Sequence, residues 1–142
     1  MKNKIKIAVV GIGLMGNQHL KAIHLSKKAK LHSIVDINEN SRLHAKKFKV
    51  PFYKTSTDLL KNKKPDAVIV ATPNQFHEKH TISFLNAKIP VLLEKPISNN
   101  IQKAKKIINS AKKNTTHLLI GYHRRHNSIV TNVKKKIDSG KL

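Results

Sequence analysis

Three glycines, an aspartate and a lysine supply the residue types from which chemistry can be built in this chain. Gly11, Gly13 and Gly16 stand in a Gly-x-Gly-x-x-Gly spacing, with Ile12, Leu14 and Met15 between them. Such a turn suits a dinucleotide. The first glycine allows a sharp turn off a strand, the second lets a pyrophosphate approach the backbone, and the third lets the following helix pack tightly. The free N–H groups and positive dipole end of that helix then face the phosphates. A strand–helix turn that merely needs glycine is the competing reading, and the position of the motif between a strand and a helix argues against it. Asp36 lies about 20 residues beyond Gly16, where a carboxylate accepts hydrogen bonds from an adenosine ribose. A carboxylate there also repels a 2′-phosphate, which favours NAD over NADP, although Asn38, Ser41 and Arg42 leave NADP open. Asp36 also reads as a cap or turn residue within Asp-Ile-Asn-Glu-Asn.

Lys95 follows an apolar run and precedes Pro96. Hydride loss from an alcohol needs its O–H proton removed and the developing charge stabilised. An ammonium does the second, and assists the first where burial or a neighbouring cation favours its neutral form. Against this stands one more solvated lysine in a lysine-rich chain. Two histidine pairs, His77-x-x-His80 and His123-x-x-His126, can each place both rings on one helix face. No suitably spaced acid or cysteine accompanies them, so no metal site is assigned. His19, His24, His32, His44 and His117 read as surface or packing residues.

These residues need elements to position them. Ile5 to Val10 is a β-branched, mostly apolar run, as a buried parallel strand should be. Further strands are expected at 30–35, 51–53, 67–71, 91–93 and 117–120. Helices are expected at 14–28, 39–47, from 57 onward with Ser56 or Thr57 as cap, and at 75–86, 101–113 and 128–138. Strands alternate with helices without an internal repeat or a low-complexity linker. That predicts an α/β fold with a parallel, doubly wound sheet, as one dinucleotide-binding domain over residues 1–142. Asp36, Thr72, Asn74, Lys95, His123 and Arg124 all fall at strand ends and should share one rim, where such sheets bind ligands.

The 142 residues suffice for one domain with a real core. The formal charge is +22, with only seven acids. Lysines are scattered over nearly every helix and arginine occurs only at Arg42, Arg124 and Arg125, without clustering or interleaved aromatics. A solvated basic surface is therefore expected rather than a nucleic-acid site, although the charge would help attract an anionic dinucleotide. No apolar run reaches the length of a membrane span, and no signal peptide precedes the first strand. The absence of cysteine excludes disulfides and thiolate chemistry and suits a cytoplasmic setting.

The glycine turn, Ala71-Thr72-Pro73-Asn74 with His77, Glu94-Lys95-Pro96, and Gly121-Tyr122-His123-Arg124-Arg125 occur in that order. Together they resemble the N-terminal half of the glucose–fructose oxidoreductase, inositol dehydrogenase and rhizopine-catabolism family (Gfo/Idh/MocA). The resemblance covers Lys4 to Leu142. It implies a Rossmann domain, normally followed by an α+β domain that is expected to be absent from this chain, leaving a truncated chain or half of a split enzyme. It implies that Gly11 to Gly16 hold the pyrophosphate and Asp36 with Ile37 the adenosine ribose. Thr72, Pro73, Asn74 and His77 would line the nicotinamide side, with Glu94 and Lys95 beside the nicotinamide ribose. Lys95 would contact the reacting hydroxyl, and His123 and Arg124 would face a sugar or polyol substrate. Hydride would pass between a substrate carbon and nicotinamide. A non-catalytic dinucleotide-binding module is the alternative. The expected partners are the small substrate and either a second copy of the chain or a separately encoded second domain, with no nucleic acid and no membrane.

Overall fold

The computed structural model describes residues 4–141. Its framework is a six-stranded, all-parallel sheet: β1 (Ile5–Val10), β2 (Ala29–Val35), β3 (Phe52–Tyr53), β4 (Ala67–Val70), β5 (Val91–Leu93) and β6 (Leu118–Ile120), in the order β3-β2-β1-β4-β5-β6. The order reverses direction between β1 and β4, so their C-terminal ends open a crevice, which is the switch point of a doubly wound sheet. The helices are α1 (Leu14–Leu25), α2 (Arg42–Phe48), α3 (Ser56–Lys61), α4 (His77–Asn86), α5 (Ile101–Lys113) and α6 (Ser128–Asp138). Among the described residues, no helix is long and apolar enough to cross a membrane.

The strands are apolar on both faces because both faces are covered. Val9, Ile34 and Ile69 point toward Leu20 and Ile23 of α1 and Ala45 of α2. The alternate residues Ala8, Val10, Val68 and Val70 join Leu59 of α3, Phe84 and Leu85 of α4, and Ile107 of α5. The period of two along β1 and β4 thus divides two cores. α6 differs from the other helices: Ile129, Val130, Val133 and Ile137 are all exposed along it.

Several boundaries differ from the sequence reading, each for a local reason. α1 ends at Leu25, three residues early, because the Ser26 backbone turns extended and its hydroxyl accepts from the Lys28 and Ala29 N–H groups. The expected helix at 39–47 opens as a 3-10 turn, Glu39–Ser41, and the one at 75–86 as another, Asn74–Phe76. A third, His123–His126, follows β6 where no element was expected. The cap of α3 is Thr55, not Ser56 or Thr57: its hydroxyl accepts from the Asp58 N–H at 3.1 Å.

Candidate cofactor cleft

The crevice at the switch point is a cavity of about 770 Å³. Gly11, Ile12, Gly13, Leu14 and Met15 form one wall, Asp36 and Ile37 another, and Ala71, Thr72 and Pro73 a third. The glycine turn is constrained where its residue types demand. Gly11 has φ +88°, and a side chain there would strike the Ala71–Thr72 backbone. A Cβ on Gly16 would fall on the Gly11 carbonyl oxygen, so that glycine sets how closely α1 meets β1. Gly13 is different: a Cβ there would meet nothing within 4 Å. The fold does not need glycine at position 13. Gly13 nonetheless lines the cleft.

Gly13 is the first flanking residue of α1, which has no side-chain cap and no acid in its first turn. The opening N–H groups of a twelve-residue helix are therefore left without a protein partner from a cap. Next to Gly11, Thr72 carries a hydroxyl that is buried without a hydrogen-bond partner. A glycine turn on the cavity wall and an uncapped helix start fit a pyrophosphate-linked dinucleotide.

Asp36 is tied to the turn itself. The Ile12 N–H donates to its Oδ2 at 2.6 Å and the Ser41 hydroxyl at 3.1 Å, while the Asn38 N–H donates to Oδ1 at 2.9 Å. The turn role weighed for Asp36 is therefore real. It coexists with a carboxylate facing the cleft, since Oδ1 retains accepting capacity.

The rim residues divide into those that face outward and those that do not. Lys95, Pro73, Asn74, His123 and Arg124 are exposed or partly so. The ion pairs of the described residues leave Lys95 out. His77 lies beneath the rim and is fully buried. Its Nε2 is 2.8 Å from the Thr72 carbonyl oxygen and its Nδ1 is 2.9 Å from that of Pro96. Its contacts hold together the two loops that carry Thr72 and Lys95. The Lys95–Pro96 peptide is cis. The other half of that histidine pair, His80, turns elsewhere, and its Nδ1 meets the Ser56 hydroxyl at 2.7 Å on the cleft wall. Burial, with Lys79 and His77 nearby, holds the His80 ring below its ordinary pKa. The two rings share a helix but have different partners.

Glu94 is buried, and its Oε1 accepts from His19 Nε2 at 2.7 Å. His19 belongs to α1 and read as a surface or packing residue. Its partner is 75 positions away in the chain, so only the packing of α1 against the end of β5 brings them together. Gly121 completes the pocket, since a Cβ there would press on the Glu94 carboxylate at 3.2 Å. The available signal was positional: His19 lies one helical turn beyond Gly16, on the α1 face that turns toward the sheet.

Residues 5–122 match the model of an oxidoreductase family described by its NAD-binding Rossmann fold, Gfo/Idh/MocA. The chain is 28% identical to the rhizopine catabolism protein MocA of Rhizobium meliloti, over 98% of this chain and 44% of that protein. It superposes with a TM-score of 0.92 and 26% identity on scyllo-inositol dehydrogenase from Lactobacillus casei, solved with NAD(H) and scyllo-inositol, covering 99% of this chain and 42% of that one. The WlbA dehydrogenase from Bordetella pertussis, solved with NADH and UDP-GlcNAcA, matches with a TM-score of 0.92 and 26% identity over 97% of this chain and 43% of that one. The chain thus spans less than half the length of the relatives that it matches.

Proposed function

Because the chain belongs to the Gfo/Idh/MocA oxidoreductases and carries their NAD-binding Rossmann fold, we propose that it is the cofactor-holding part of a dehydrogenase acting on a sugar or polyol hydroxyl. The observation that carries this reading is the open position at Gly13 on the cleft wall, set at the uncapped start of α1. The backbone N–H groups of the glycine turn bind the pyrophosphate. Asp36, braced by Ile12 and Ser41, accepts from the adenosine ribose beside Ile37. Thr72, Pro73 and Asn74 line the nicotinamide side, and His77 positions them from below. Glu94, oriented by His19, sits beside the nicotinamide ribose.

The cofactor, when bound, accepts or returns the hydride. The chain's own part in the chemistry falls to Lys95, whose ammonium orients the substrate hydroxyl and stabilises the charge that develops on its oxygen. His123 and Arg124 stand on the same rim as contacts for the substrate's other hydroxyls. The small-molecule class is suggested by the relatives solved with scyllo-inositol and with UDP-GlcNAcA. The dispersed basic surface is a solvated one, not a nucleic-acid site. A second copy of the chain or a separately encoded second domain is the macromolecular partner that we propose.

Calorimetric titration tests the cofactor assignment. NAD is expected to bind one-to-one and more tightly than NADP, because the Asp36 carboxylate repels a 2′-phosphate. Equal or tighter NADP binding would remove the role given to Asp36.

A further inference from the structure

Beyond Asp36 lie two cations, Lys54 on the cavity wall and Arg42 behind it, and both are paired with one carboxylate. Arg42 Nε donates to Glu39 Oε2 at 2.9 Å, and its guanidinium lies 4.6 Å over the Phe52 ring. Lys54 Nζ donates to Glu39 Oε1 at 2.7 Å. One carboxylate therefore uses both its oxygens to hold a cation from α2 and another from the segment after β3. Lys54 lines the same cavity as Asp36, Asn38 and Ser41.

Building on the dinucleotide reading of this cleft, we propose that Glu39 is a specificity-determining residue: its charge offsets those of Arg42 and Lys54 and so weakens the pull of this corner on a 2′-phosphate. A phosphomonoester brings nearly two negative charges, and its binding calls for cations whose charge is not already offset by a neighbouring carboxylate. Asp36 and Glu39 balance Arg42 and Lys54, two charges against two, so this corner is neutral in a chain of +22. Removing the Glu39 charge turns the corner to +1 and frees the Lys54 ammonium from its partner on the cavity wall. Asp36 and Glu39 act together here, since the Asp36 charge remains while its Oδ2 accepts from Ile12 and Ser41.

Glu39 can do this across the physiological range. Its hydrogen bonds from Arg42 and Lys54 hold its carboxyl down to about 2, so it stays ionised. Its place in the fold is dispensable. It is about half exposed, the cap of its 3-10 turn is Asn38, and exposed ion pairs contribute little to stability.

The test is calorimetry of NAD and NADP at one fixed ionic strength on the whole chain and on Glu39→Gln, Glu39→Asp and the triple variant Glu39→Gln/Arg42→Gln/Lys54→Gln. Glu39→Gln is expected to tighten NADP binding about tenfold while NAD changes by less than about threefold. Glu39→Asp retains the carboxylate and should keep the wild-type ratio, and the triple variant should lose the gain. A merely structural role would move both affinities together. A wild-type ratio in Glu39→Gln, with NAD still bound, overturns the role of Glu39 alone. Failure of the wild-type chain to bind NAD overturns the dinucleotide reading and this inference with it.

Discussion

Gly13→Val is expected to weaken NAD binding at least about 100-fold, which is roughly 2.7 kcal/mol, while the domain remains folded. The two halves of that expectation come from one observation. No other part of the fold lies within 4 Å of a Cβ at this position, so a side chain has room there, on the wall of the cavity assigned to the pyrophosphate. The backbone at Gly13 has φ −78° and ψ −158°, extended rather than left-handed. The cost to the fold is the poorer helix-capping character of valine, about 1 kcal/mol. The same substitution at Gly11 or Gly16 would be uninformative, because there the added side chain strikes backbone and lost binding would follow from lost structure. Thermal unfolding and calorimetry on Gly13→Val together check the prediction. Unchanged NAD affinity would move the pyrophosphate elsewhere.

The second large effect concerns turnover. The isolated 142-residue chain is expected to bind cofactor and yet oxidise sugars and polyols poorly or not at all. Lys95, His123 and Arg124 all stand exposed on the rim, and nothing among the described residues forms a wall opposite them. Hydride transfer needs the donor carbon held against the nicotinamide ring, and positioning of that kind accounts for roughly 7–11 kcal/mol of barrier lowering. Losing even half of it slows the reaction by about 1000-fold. A separately expressed second domain should restore turnover. Lys95→Ala should then remove most of it while sparing NAD affinity, since the role proposed for Lys95 is on the substrate oxygen. Initial rates of NAD reduction with scyllo- or myo-inositol read both effects. Robust reduction by the isolated chain would show that the catalytic groups are misassigned.

Much of this architecture was legible in the residues. The run from Ile5 to Val10 has the character of a doubly buried strand, and its junction with the glycine turn locates the cleft. The bounds of β5, α5 and α6 match the sequence reading, because Pro90 and Glu94 bracket the first and asparagines cap the other two. What was not legible depends on distance or on small differences in hydrogen bonding. A 3-10 turn and the first turn of an α-helix use the same residue types, so Glu39–Ser41 and Asn74–Phe76 merged with the helices after them. Thr55, Ser56 and Thr57 are three adjacent hydroxyls, and spacing alone does not choose the cap. The resemblance placed His77 on the nicotinamide wall, whereas the two carbonyl oxygens that it meets can be assigned only once the loops carrying Thr72 and Pro96 are known to converge. The pairing of His19 with Glu94 and the hold of Glu39 on Lys54 are likewise products of tertiary packing. Arg42 was legible as a cation near the ribose site, but not as one already taken.

The central claim is that NAD sits on the Gly11–Gly16 turn with its adenosine ribose at Asp36. Amide NMR spectra of the ¹⁵N-labelled chain, recorded while NAD is added, test it most directly. Shifts are expected to concentrate at Ile12, Gly13, Leu14, Met15, Asp36, Ile37 and Thr72, with the residues around Ile108 and Thr116 on the far side of α5 unmoved. Shifts that gather at that far surface, or none at saturating NAD, would contradict it.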